Sequence, residues 1–111
     1  DLVILCHSGN DILRRKRKDQ ARQNLEAMID LIEASGAQVV LLGVPDFGLF
    51  LSAADFINKA AENTQVAYVQ DLLPDLQGDK SIKSDTVHFN AEGYAQLAQG
   101  IYQSLQDFGG L

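Results

Sequence analysis

Asp85 and His88 are the residues in this 111-residue chain whose types and spacing best suit acid–base chemistry. A carboxylate three residues before an imidazole can accept a hydrogen bond from ring Nδ1. That fixes the tautomer and leaves Nε2 to take a proton from a nucleophile. The pair stands in Asp85-Thr86-Val87-His88-Phe89-Asn90-Ala91-Glu92-Gly93. A helix beginning near Asn90 would use that residue as its N-cap and hold His88 just outside a rigid element. The same spacing also arises as an ordinary solvated surface pair, and the motif alone leaves both readings open. A second polar cluster, His7-Ser8-Gly9-Asn10-Asp11, offers the Asn10 amide and backbone N–H groups around Gly9 as donors to an oxyanion. It reads equally as a plain turn after a strand.

Hydrophobic patterning gives the elements that would carry these residues. Leu2 to Cys6 is a continuous apolar run of strand length, with Cys6 expected to be a small buried hydrophobe. From Lys18 to Ser35, Leu25, Met28, Ile29 and Ile32 recur at helical spacing, and Gly36 supplies the stop. Gln38 to Val44 is a second strand, ended by Pro45. Ser52-x-x-Asp55 resembles a capping box opening a helix that buries Phe56, Ile57, Ala60 and Ala61. A third strand covers Gln65 to Val69, a long polar loop runs from Gln70 to Asn90, and a last helix spans Ala91 to Asp107. Its predicted apolar face carries Tyr94, Leu97, Ala98, Ile101, Tyr102 and Leu105. The order β-α-β-α-β-loop-α implies one α/β domain over residues 1–111: part of a flavodoxin-like three-layer fold, with a three-stranded parallel sheet and three main helices. In such sheets reactive groups gather outside the carboxyl ends of the strands, so Asn10 and the Asp85–His88 pair are expected at one edge.

Composition narrows the function. A formal net charge of −6 argues against nucleic acid as a partner. Six of the nine basic residues fall within nine positions, Arg14 to Lys18 plus Arg22, which reads as a solvated helix start or as an attractor of anionic groups. One cysteine rules out an internal disulfide, and no apolar run reaches the roughly 18 to 20 residues of a transmembrane helix. Asp11, Asp85 and His88 are of metal-ligating type, but with two histidines and no H-E-x-x-H spacing no metal or other cofactor is expected.

Strand, then Ser8-Gly9-Asn10-Asp11, then a strand-helix-strand series, then D-x-x-H-x-N-x-x-G before a final helix resembles the SGNH (GDSL-type) hydrolases, particularly their thioesterase, arylesterase and lysophospholipase branch. The resemblance implies a serine ester or thioester hydrolase with His88 as general base, Asp85 as its orienting carboxylate and Asn10 as an oxyanion-hole donor. It implies an acyl ester or thioester substrate, and it makes Phe47 and Phe50 candidates to line an acyl pocket, though they could equally close the core. Family members often carry secretory signals, so it also points to a periplasmic or secreted location. The family's Gly-Asp-Ser nucleophile block does not occur in the sequence, and Ser8 stands where glycine is usual. Ser8 would attack from the oxyanion's own place, while Ser52, Ser84 and Ser104 read as a cap, a loop residue and a surface helix residue. The chain, opening at Asp1 directly into a strand, is therefore read as the C-terminal part of such an enzyme, nearly inert by itself. It is expected to associate through the exposed edge of its first strand, with an N-terminal segment or with a second copy. The alternative is a non-catalytic flavodoxin-like binding module that docks an acidic partner on residues 14–18, in a salt-sensitive way.

Overall fold

The computed structural model describes residues 1–6, 18–45, 52–85 and 88–109. Its elements run β1 (Leu2–Leu5), α1 (Lys18–Ala34), β2 (Gln38–Leu42), α2 (Asp55–Thr64), β3 (Ala67–Val69), α3 (Leu72–Gln77), a 3₁₀ turn (Lys80–Ile82) and α4 (Ala91–Asp107). The three strands form a parallel sheet in the order β1-β2-β3, with Leu2 beside Gln38 and Val40 beside Ala67. Both crossovers step the same way across the sheet, and right-handed connections then place α1 and α2 together on one face. Strand alternation divides the core accordingly. Leu5, Val39, Leu41 and Tyr68 face α1 and α2, where Leu25, Ile29 and Ile57 are completely buried. Val40, Leu42 and Val69 face the other way and meet Leu105 and Ile101 of α4. This is a three-layer α/β arrangement, part of a flavodoxin-like fold.

Several expected boundaries move, each for a local reason. Ser52 does not cap α2, which begins at Asp55 with Ala54 at the N-cap and no side-chain cap. Residues 53 and 54 are instead committed to β2's continuation, through an antiparallel bridge between Pro45 and Ala53 and an Ala54 N–H donated to the Val44 carbonyl at 2.9 Å. The third strand starts at Ala67 because Gln65 takes a left-handed backbone (φ 56°) to close α2, donating its N–H to Ala61. The stretch from 70 to 90 is not an irregular loop: α3 and the 3₁₀ turn occupy it. Pro74 sits in the first turn of α3, where no intrahelical donor is missed. Cys6, expected to be buried, is exposed. On α4, Leu105 is buried and Leu97 and Ile101 half-buried, whereas Tyr94, Ala98 and Tyr102 are turned to the surface.

Candidate active site

The segment carrying Asp85 and His88 is held from both ends. Lys83 and Phe89 form an antiparallel bridge, and Ser84 donates its N–H to the His88 carbonyl at 2.9 Å. The Ser84 hydroxyl lies 3.3 Å from the His88 carbonyl and 3.2 Å from that of Phe89. Phe89 itself is buried, stacked edge-on against Tyr94 with ring centroids 5.7 Å apart. The next residue, Asn90, caps α4 as expected: its Oδ1 accepts from the Gly93 N–H at 2.9 Å. Asn90 also does more than a cap does. Its Nδ2 donates to the Ser81 carbonyl at 3.1 Å and its N–H to the Ile82 carbonyl at 2.9 Å, which ties the start of α4 to the 3₁₀ turn. Gly93 is required by this packing, because a Cβ there would lie 2.3 Å from the Ile82 carbonyl oxygen and 2.7 Å from Phe89 Cβ.

Within this frame the His88 ring and the Asp85 carboxylate are paired, with Nδ1 at 3.0 Å from Oδ2 and 3.2 Å from Oδ1. An ionised carboxylate is acceptor only, so Nδ1 is a donor here, and in the neutral form of the ring the lone pair is then on Nε2. The His88 backbone N–H also donates to Asp85 Oδ1 at 2.7 Å, so one carboxylate fixes both the main chain and the ring. Both side chains are largely open, at 68% exposed for His88 and 58% for Asp85. An exposed pair of this kind contributes about 0 to 1 kcal/mol to stability, so its effect is to orient the ring rather than to hold the fold. The 3₁₀ turn preceding it is organised by Asp79, whose Oδ1 accepts from the Ser81 N–H at 3.0 Å and the Ser81 hydroxyl at 2.6 Å. The hydroxyl bond first, then the backbone bond, holds the Asp79 carboxyl below its usual range.

Asn10, Phe47 and Phe50 lie outside the described residues, as do Ser8, Asp11 and the basic residues 14–17, so the structure brings together Asp85 and His88 from the predicted set. Among the described residues no group of three or more His, Cys, Asp or Glu side chains is placed to hold a metal ion. Ser84 and Gly93 were not legible as frame residues, because their partners belong to the turn at 80–82 and to the strand-like bridge beside it, which sequence patterning leaves as loop.

The three-layer α/β fold thus carries a paired Asp-x-x-His just ahead of a capped helix. Residues 1–96 match the GDSL-like lipase/acylhydrolase family, and the chain belongs to it. The Esterase TesA of Pseudomonas aeruginosa is 29% identical over an alignment of 111 positions, covering 95% of this chain and 55% of that protein. The chain thus spans about half of that relative's length. Among the described residues no helix is long and apolar enough to cross a membrane.

Proposed function

We propose that this chain supplies the proton-transfer half of a serine ester or thioester hydrolase, with His88 as general base, Asp85 as its orienting carboxylate and Asn10 as an oxyanion donor. The observation that carries the reading is the double hold of Asp85 on His88, at Nδ1 and at the backbone N–H, which presents Nε2 as the acceptor. The nucleophilic serine comes from a segment outside the 111 residues. Ser35, Ser81, Ser84 and Ser104 direct their hydroxyls to main-chain carbonyls or to Asp79, not to the His88 ring.

In the reaction, the serine Oγ bonds to the acyl carbon as its proton passes to His88 Nε2. The carbonyl oxygen becomes an oxyanion facing the Asn10 amide. Collapse breaks the bond to the alcohol or thiol, which leaves with the proton from Nε2. Water then gives a proton to Nε2 and attacks the acyl-enzyme; the carboxylic acid departs as the serine recovers its hydrogen.

Fluorophosphonate labelling with peptide mapping tests this reading. Labelling on a co-purifying serine segment, with loss of turnover in a folded His88→Ala variant of the complete hydrolase, is the expected result. A labelled serine within these 111 residues overturns the division of labour. Full turnover by folded His88→Ala removes His88 from the mechanism.

A further inference from the structure

The Asp85 carboxylate fixes His88 only within its own segment: the ring and the backbone N–H that it holds lie three residues away, so these bonds do not set where the pair stands on the molecule. Placement is decided where the two arms of the segment leave the body, at Ile82 and Phe89, both buried in the core. The 3₁₀ turn delivers the first arm by successive i+3 bonds, from the Ile82 N–H to the Asp79 carbonyl at 3.4 Å and from the Lys83 N–H to the Lys80 carbonyl at 3.3 Å. The next bond of that series would run from the Ser84 N–H to the Ser81 carbonyl. Here the series is interrupted: Ser84 gives its N–H to the His88 carbonyl, and Asn90 Nδ2 takes the Ser81 carbonyl instead. The Asn90 N–H goes to the Ile82 carbonyl, so one half-buried residue occupies two consecutive carbonyls of the turn. The amide orientation is fixed by chemistry. The Gly93 N–H at Oδ1 can only donate and the Ser81 carbonyl at Nδ2 can only accept, so reversing the amide would lose both bonds.

We infer that Asn90 is a positioning residue for His88, acting by occupying the Ser81 carbonyl and so ending the 3₁₀ turn where Ser84 can close on the His88 carbonyl. The inference rests on the hydrolase reading given above. Capping α4 and stopping the turn are separate duties of one side chain: the oxygen caps and the nitrogen stops. Without that nitrogen the Ser81 carbonyl is open to the Ser84 N–H, the turn can advance by one residue, and the His88 carbonyl loses its closest main-chain donor. His88 then keeps its bond to Asp85, but the pair is no longer held in one place relative to the nucleophile.

Asn90→Ser and Asn90→Ala separate the two duties. Serine caps a helix about as well as asparagine, but a hydroxyl committed to Gly93 has no second arm for Ser81; alanine performs neither duty. In the 111-residue chain, amide exchange at Ser84 is expected to quicken about 3- to 10-fold in both variants, the range expected for losing one such hydrogen bond, while exchange at Gly93 quickens in Asn90→Ala alone. In the complete hydrolase, kcat on p-nitrophenyl butyrate is expected to fall about 10- to 100-fold in both variants with KM unchanged, as for a catalytic group displaced by a fraction of an ångström to an ångström. If Asn90 were only a cap, Asn90→Ser would turn over as the unsubstituted enzyme does and Asn90→Ala alone would lose activity, together with melting temperature. That pattern overturns the positioning role, as does Ser84 exchange at the unsubstituted rate in Asn90→Ser. A complete hydrolase without His88-dependent turnover overturns the hydrolase reading and the catalytic part of this inference with it; Ser84 exchange then still decides whether Asn90 stops the turn.

Discussion

At the scale of single residues, the role proposed for the Asp85–His88 pair and its contribution to stability can be separated. Both side chains are more than half exposed, so breaking their contact removes at most about 1 kcal/mol of folding free energy. The same contact sets the ring tautomer, and losing the orienting carboxylate in a serine hydrolase lowers kcat by about 10⁴. Asp85→Asn should therefore lower the melting temperature by no more than about 5 °C while nearly abolishing turnover of the complete hydrolase. A large drop in melting temperature would make Asp85 a structural residue instead. Asp79 is the opposite case. Its carboxyl titrates below the ordinary range, so the folded state favours the ionised form; the resulting stability is present above the unfolded pKa and fades as pH falls through the folded one. Ser81→Ala should accordingly lower the melting temperature slightly at neutral pH, with the difference from the unsubstituted chain closing as pH falls below about 4. The pair and the Asn90 cap were legible in the sequence because three-residue spacings encode them. The Gly93 contact was not, since it depends on where the Ile82 carbonyl lies.

Among the elements, α1 and α4 were legible almost to the residue: their apolar periods are long, and Gly36 (φ 91°) and Gly109 (φ 76°) take left-handed backbone angles just past their last turns. The short α3 was hidden, because Pro74 and Gly78 resemble breakers and six residues carry little periodicity; its formation rests on burying Leu73 and Pro74. Two interior glycines separate backbone from side-chain crowding. At Gly43 an added methyl meets the fixed Gln70 carbonyl, and the strand ends cannot part without losing the Gly43 N–H bond to Val69 at 2.8 Å. At Gly100 it meets only the Leu72 side chain, which can rotate, and α4 gains about 1 kcal/mol of helix propensity. Gly43→Ala is expected to destabilise by about 1 to 3 kcal/mol and Gly100→Ala to be near neutral, as denaturant titration of the two variants would show.

For the whole molecule, the outer side of β1 is the place where the rules of a covered sheet are broken. Among the described residues β1 pairs with β2 alone, so its other side presents a row of unpaired N–H and C=O groups. Ile4 points to the same face as Leu2, toward the α4 layer, yet remains 42% exposed, whereas Leu42 across the sheet on that face is buried. Parallel sheets are covered on both faces, so an apolar strand left open here is unlike the rest of the molecule. The relative from Pseudomonas aeruginosa extends well beyond the aligned region. A segment carrying the nucleophile and docking beside β1 would cover Ile4, pair the open edge and bring its serine to the carboxyl end where His88 is expected to act. The chain by itself should then associate through β1, with an apparent mass by light scattering that rises with concentration. Ile4→Lys should shift it toward the monomer without unfolding it, since the position is already partly solvated. Adding a nucleophile-bearing segment should displace self-association in favour of a one-to-one complex that gains ester turnover. A chain that stays monomeric at all concentrations, and binds no such segment, would place the open edge outside the mechanism.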